Sequence, residues 1–498
     1  MLHWSPRPTL KPLLLAFGLL VSQAGHAAPW ADAGDRQLRF DIEVLKAAGV
    51  IRGPINSWPL PWAQIDNGIS SIGGAPLAPH VAAALARVRA LSDRARQANT
   101  REVTAAGTNR VQLVRDFGGG ARQKGDAVFR GEIDTGAFFV SYGAGYRPGQ
   151  AGKEYHFEPG YVAIKSGNWA VYAGFNELWF GPGNDGTLLF SNSARPFPKV
   201  GIRRLSPDPL NVPILKWLGP VRVEAFAGIL DEPRDYENPL VMGMRVAFEP
   251  VPGLEFALQR GIQMCGSGRR CNARSFGKAW FGLGNADDGN LDNDPGNQLA
   301  GFDISYARMI GRITTKVYVE AIAEDRRNLG LAHHARLGGI QLGGPLGGRG
   351  AMWSGFAEYS DTYGARLFGG QKAPGIVYNN FIYTDGWTYL GRPIGHSLDG
   401  DTRTLTVSGS VTDTRNRRYY GSIRTIDLNV TAPLFAGGPP RNRISATSES
   451  ISVVTAGAEV PTAIGDFRIE ARLQDDAPDT PGSSKLYPAI EVALRTRF

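Results

Sequence analysis

Counted back in twos from its last residue, the chain reads Phe498, Thr496, Leu494, Val492, Ile490 and Pro488 on one face. The residues between them are Arg497, Arg495, Ala493, Glu491, Ala489 and Tyr487. Successive side chains of a strand point to opposite faces, so the alternation predicts a strand with one apolar and one polar side. The same period recurs upstream. Val221, Val223, Ala225, Ala227 and Ile229 alternate with Arg222, Glu224 and Phe226, and Ile313, Thr315, Val317, Val319 and Ala321 with Arg312, Lys316 and Glu320. Leu405, Val407 and Val411 oppose Thr404, Thr406 and Ser410, and Ile469, Ala471 and Leu473 oppose Arg468, Glu470 and Arg472. Roughly seventeen such segments follow one another from about residue 110 to the end, with no long apolar helix among them.

A soluble sandwich could carry this pattern. A terminal aromatic and so many repeats favour lipid, where every backbone group must be paired and a sheet survives only as a closed barrel. Bacterial single-chain barrels have even strand numbers, so a transmembrane antiparallel β-barrel of about 18 strands is expected, with about sixteen as the fallback. Polar residues then face a curved interior.

Before the strands the period is 3.6. Residues 1–27 carry Arg7 and Lys11, an apolar core from Leu13 to Val21, and Gly25-His26-Ala27, which reads as a secretory signal cut after Ala27. Residues 28–106 then predict a small periplasmic helical bundle, and 107–498 the outer-membrane barrel. Its first helix opens at Asp35-Arg36, carries Leu38, Ile42, Val44 and Leu45, and ends at Gly49, with Asp35 as N-cap or first-turn acid. A second is expected near Ala63 to Ile69, after the proline-braced turn Pro54 to Trp62, and a third from Pro79 to Arg96 with Val81, Leu85, Val88 and Leu91 on one face. Two long connections, Gly266 to Gln298 and Tyr363 to Asp401, should be extracellular.

Composition agrees with an exported sheet protein. Of 498 residues 64 are Gly and 33 Pro, which suits turns and close-packed strands and argues against a mainly helical protein. The formal charge of +8 loses Arg7 and Lys11 with the signal and is interleaved, so nucleic acid is not an expected partner. The two cysteines, Cys265 and Cys271, stand in M-C-G-S-G-R-R-C-N. A disulfide clipping a loop is the expected state in an oxidising compartment, and zinc the competing one.

Little points to catalysis. Neither G-x-S-x-G nor H-E-x-x-H occurs, and no enzyme activity, cofactor or metal is predicted. The acidic run Asp287 to Asp294 lacks the Gly and Glu of an EF-hand loop, leaving a solvated turn or a calcium wrap. Two aromatic, Gly-rich clusters look different. Tyr378 to Asp401 holds Asn379, Asp385, Trp387, Tyr389, Arg392 and His396, and Phe175 to Gly186 holds Trp179, Asn184 and Asp185. Sugars ask for such sets: aromatic faces for C–H patches, and amide, carboxylate and guanidinium groups for hydroxyls and acidic substituents. These nine residues are the candidate polysaccharide contacts. For each aromatic the competing place is an interfacial girdle or the inside of a loop plug.

Several stretches together resemble the capsule-assembly Wzi family of outer-membrane lectins. They are P-W-A-D-A-G-D-R-Q-L-R-F-D-I (Pro29 to Ile42), W-P-L-P-W (Trp58 to Trp62), E-L-W-F-G-P-G (Glu177 to Gly183), S-N-S-A-R-P-F-P (Ser191 to Pro198), P-G-N-Q-L-A-G-F-D (Pro295 to Asp303) and D-G-W-T-Y-L-G-R-P-I-G-H-S-L (Asp385 to Leu398). The resemblance implies an eighteen-stranded barrel, a helical bundle at its periplasmic end, folded loops closing the outer mouth, and a role in holding exported polysaccharide, capsular or secreted, at the surface of a Gram-negative cell. A porin or polymer export channel is the alternative. Outer-membrane lipid and the barrel-assembly machinery, which reads a C-terminal Phe, are the other expected partners.

Overall fold

A computed structural model describes residues 28–72, 76–97, 99–149, 153–281, 296–324, 334–365, 375–431, 441–480 and 485–498. The signal segment and the acidic run 287–294 lie outside them. Strands close into one antiparallel barrel whose seam joins the first, Asn99–Thr108, to the last, Tyr487–Arg497, with Arg497 opposite Glu102 and Glu491 opposite Thr108. Tyr155–His156 and Tyr161–Ser166 both pair with Phe138–Tyr146 and form two pieces of one stave, so the barrel has eighteen.

The two-residue period sorts side chains as expected. On Ile313–Glu324, Val317 and Val319 face out and are exposed, while Lys316, Tyr318 and Glu320 are buried within. On the last strand Ile490 and Val492 are exposed and Glu491 is buried. The stave that a count of alternating segments passes over is Phe138–Tyr146. Its inward positions are Phe139, Ser141, Gly143 and Gly145, so no charged face marks it. Gly145 is required there: a Cβ would lie 2.3 Å from the His156 ring.

Turns at one rim are tight, as at Gly253 and Gly311, both at positive φ, where glycine carries no Cβ penalty. The long connections 265–295 and 366–402 rise from the other. No helix among the described residues is long and apolar enough to cross a membrane.

Three helices precede the barrel: α1 (Arg36–Ala47), α2 (Trp62–Ser70) and α3 (Pro79–Ala95). Asp35 caps α1, its carboxylate accepting from Leu38 N at 2.8 Å. Two features differ from the sequence expectation. The first strand begins at Asn99, eight residues before the expected start of the barrel at 107, because the polar Thr100, Glu102 and Thr104 are its inward side and not the tail of a bundle. Nor is the helical segment a separate body: α1 enters the lumen, where Glu43 accepts from Lys316 Nζ at 2.8 Å and Gln341 Nε2 at 2.7 Å. One apolar core runs from Ile42 and Leu45 of α1 through Trp58, Phe117 and Trp179 to Phe190 and Trp387.

Candidate functional site

A chain that enters a polar lumen without regular structure must find partners for its backbone amides, since buried and unpaired ones are costly. Wall carboxylates supply them. Glu255 accepts from Ile55 N and Asn56 N at 2.8 and 3.1 Å, and Glu249 from Gly53 N, while Arg222 donates to Ser57 O at 2.8 Å. From the opposite mouth, Glu358 accepts from the amides of Asn184, Asp185 and Gly186 at 2.6, 3.1 and 2.8 Å, and Glu320 from Leu188 N at 3.0 Å. The two entering segments meet: Ser57–Trp58 pairs with Trp179–Phe180 as a two-stranded sheet inside the barrel. The close fit excludes side chains at the glycines of this loop. A Cβ on Gly186 would lie 2.6 Å from His396, and one on Gly183 at 2.2 Å from Gly186 O.

This geometry places the nine candidates unequally. Trp179 is fully buried, donates Nε1–H to Gly183 O at 3.1 Å and meets Phe117 edge-on at 5.4 Å. Trp387 is equally buried, bonded to Leu189 O at 3.0 Å and packed 5.5 Å from Phe190. Tyr389 gives its hydroxyl to Asp231 at 2.5 Å and its ring edge to Phe197. None of the three offers a face to a sugar: they are plug residues. Asp185 is also internal, paired with Arg424 at 2.6 Å and Thr406 Oγ1 at 2.6 Å, and Asn184 donates to Gln341 at 2.9 Å. Burial pushes the His396 imidazole down to about 4, only partly offset by Asp185. Its Nδ1 accepts from Leu398 N, which puts the proton on Nε2, facing Ser360 Oγ at 3.1 Å.

Four candidates are only partly buried: Asn184, which lines the lumen, and Asn379, Asp385 and Arg392. Asn379 anchors Arg441 O at 2.8 Å, and Asp385, 38% exposed at its side chain, accepts from Asp235 N at 3.0 Å. Arg234 ties the neighbouring loop to this one through Thr388 O and Gly386 O, at 2.7 and 3.0 Å. Beside Arg392 lie Arg115 and Arg122. Burial and the Arg122 charge pull Arg392 down to about 10, so it stays a cation at neutral pH. Burial and then Arg122 also hold Arg115 well below its ordinary value. Arg122 pairs with Glu177 at 2.7 Å, and burial of that carboxyl is outweighed by Arg122 and Arg115, which keep it low. The cluster therefore holds a surplus of positive charge behind the 388–393 hairpin.

Sequence reading passed over Phe381, 61% exposed on the same loop, and the stack in which Arg269 lies 5.5 Å from both Tyr236 and Tyr383. Phe381 sits inside the stretch Tyr378 to Asp401, but nothing in its neighbours separates an exposed ring from a buried one. The wall carboxylates were legible only as the polar side of their strands. Cys265 and Cys271 are joined, with Cα atoms 5.0 Å apart. Among the described residues no group of metal-ligating side chains gathers.

With fold and lumen in view, comparison with known proteins decides the family. The family model described as capsule assembly protein Wzi matches residues 94–413. The chain belongs to the Wzi family. A Wzi structure, described as an outer-membrane protein involved in group 1 capsule assembly in Escherichia coli and a carbohydrate-binding β-barrel, superposes with a TM-score of 0.79 at 21% identity, covering 95% of this chain and 100% of that one. At that identity the likeness shows the fold. An uncharacterized 55.8 kDa protein in the cps region of Klebsiella pneumoniae is 25% identical over 366 residues, 70% of this chain and 69% of that protein. As a Wzi-family barrel, this is an outer-membrane protein.

Proposed function

We propose that this protein is a non-enzymatic lectin that holds an exported, acidic polysaccharide, capsular or secreted, at the cell surface through the outer face of its plug. The reading rests on one observation: the lumen is filled from both mouths by segments that pair with each other and share one core, so what the molecule offers to solvent outside is a surface and not a passage. A space of about 1040 Å³ remains between plug and wall, lined among others by Asp32, Arg122, Glu177, Arg497 and Phe498. On the outer face Phe381 supplies a ring for a sugar C–H patch, Asp385 and Asn379 supply hydroxyl partners, and Arg392 meets a uronate carboxylate. The E. coli barrel's description as carbohydrate-binding supports the same class of ligand. In this reading residues 28–95 enter the barrel from its periplasmic end, residues 1–27 are removed on export, and Phe498, exposed at the seam, is what the barrel-assembly machinery reads.

The test is binding of purified protein to the host's own surface polymer by pull-down or glycan array, with loss of cell-bound polymer on deletion. No retention of any host glycan would overturn it. Planar-bilayer conductance separates the channel reading, because a plugged barrel carries no steady current.

A further inference from the structure

After the strand Leu254–Met264, residues 273–281 lie against the outside of the barrel wall. On that strand Glu255, Gln259 and Gln263 face the lumen, so Leu258, Arg260, Ile262 and Met264 face out. Leu258, low on the wall, is 54% exposed, as expected of bare lipid-facing surface, yet Ile262 and Met264 are buried, and so is the outward Gln298 on the next strand. What covers them is helix α4, Ala273–Phe281, whose Ala279 and Phe276 join Met242, Ile262 and Met264 in a cluster on the barrel's outer wall.

The helix is fixed there. Asn272 caps it, accepting from Ser275 N at 3.0 Å, and the Cys265–Cys271 disulfide shortens the approach. From the wall, Arg260 donates to Ala279 O at 2.7 Å and Trp280 O at 2.9 Å, holding the last carbonyls. With Ala279 against the wall, the 3.6-residue period leaves Phe281 and Arg274 pointing away, Lys278 on one flank and Trp280 on the other. Arg274, Trp280 and Phe281 are exposed and Lys278 is half-buried. Residues 265–281 contain four cations and no acid. An indole and a phenyl ring beside two cations, on a short helix continuous with the lipid-facing wall at its extracellular end, is the arrangement of an interfacial helix reading a headgroup.

We propose that α4 is a seat for the outer leaflet's phosphorylated, acylated glycolipid, with Arg274 and Lys278 on the phosphates and Trp280 and Phe281 against the acyl chains. Its continuity with the bare wall selects a lipid as the occupant. The seat is separate from the polymer-binding face and would ground the lectin in the leaflet from which its loops rise.

Native mass spectrometry of the full processed chain with bisphosphorylated lipid A, with the same lipid dephosphorylated, and with inorganic phosphate tests this. The phosphorylated lipid should be retained over its dephosphorylated form. The double variant R274S/K278S should lower retention about fivefold per cation removed, so roughly thirty-fold together. Trp280→Ser with Phe281→Ser should weaken both lipids alike. Heat-modifiable gel mobility reports barrel integrity, and the charge-conserving pair R274K/K278R should keep the lipid even if R274S/K278S does not fold. Equal retention of the two lipids, full displacement by inorganic phosphate, or a dimer that R274S/K278S abolishes would each overturn the proposal.

Discussion

The stretches W-F-G-P-G-N-D-G (Trp179 to Gly186) and D-G-W-T-Y-L-G-R (Asp385 to Arg392) are both aromatic and Gly-rich, yet one is buried but for Asn184 and the other lies half at the surface. The first is drawn in by Glu358, which binds three of its amides, and by Glu320, which holds Leu188 N just beyond it. The second has Trp387 and Tyr389 inside but turns at Gly391, at positive φ, and so keeps Asp385 and Arg392 in contact with water. Aromatic and Gly-rich composition marks irregular backbone. Whether it becomes a plug or a binding face depends on where the wall places its acceptors.

The comparison breaks most sharply at Glu358. Glu358→Ala orphans three buried amides and should cost about 3–5 kcal/mol, seen as a lower melting temperature of the heat-modifiable form and as flickering conductance in planar bilayers. An unchanged, silent barrel would mean that the loop needs no wall carboxylate. Trp179→Ala and Trp387→Ala should each cost about 3–4 kcal/mol in thermal unfolding, because both rings are interior; a Trp387 variant that lost glycan affinity at full stability would instead return that ring to the surface. His396 sharpens the boundary by pH. The unfolded chain binds a proton below its ordinary value of 6.5, whereas the folded one refuses it until about 4. The His396 contribution is therefore complete above about pH 6.5 and falls by about 3 kcal/mol as pH drops toward 4. In His396→Gln the acid limb of a melting-temperature profile should flatten over that window. The smallest effects belong to the outer face. Phe381→Ala or Arg392→Ser should lower affinity for an acidic glycan by about 1–2 kcal/mol, roughly tenfold, in titration calorimetry while leaving melting unchanged.

The barrel was legible because a wall between lipid and water imposes a two-residue rhythm that Val317, Lys316 and their neighbours obey without exception. It failed to show at Phe138–Tyr146, where small and aromatic residues fill a crowded interior, and at Thr100 to Thr104, whose polar side lines a cavity and reads like a helix tail. The helices were legible from Asp35 and from the spacing of Leu38, Ile42 and Leu45, but α1's entry into the lumen was not, because its partners Lys316 and Gln341 are more than 270 positions away. Of the candidate contacts, residue type identified the loop and not the exposed atoms. Phe381 and Trp387 share one loop, yet the first ring is exposed and the second is buried against Phe190.

The pairing of Ser57–Trp58 with Trp179–Phe180 also has a mechanical meaning. It splices the leader that enters from below to the loop that enters from above, so the stopper is a single knot with a handle at each end. A pull on the loop side is therefore carried through that splice to the helices on the other, and the cork cannot be drawn from either side alone.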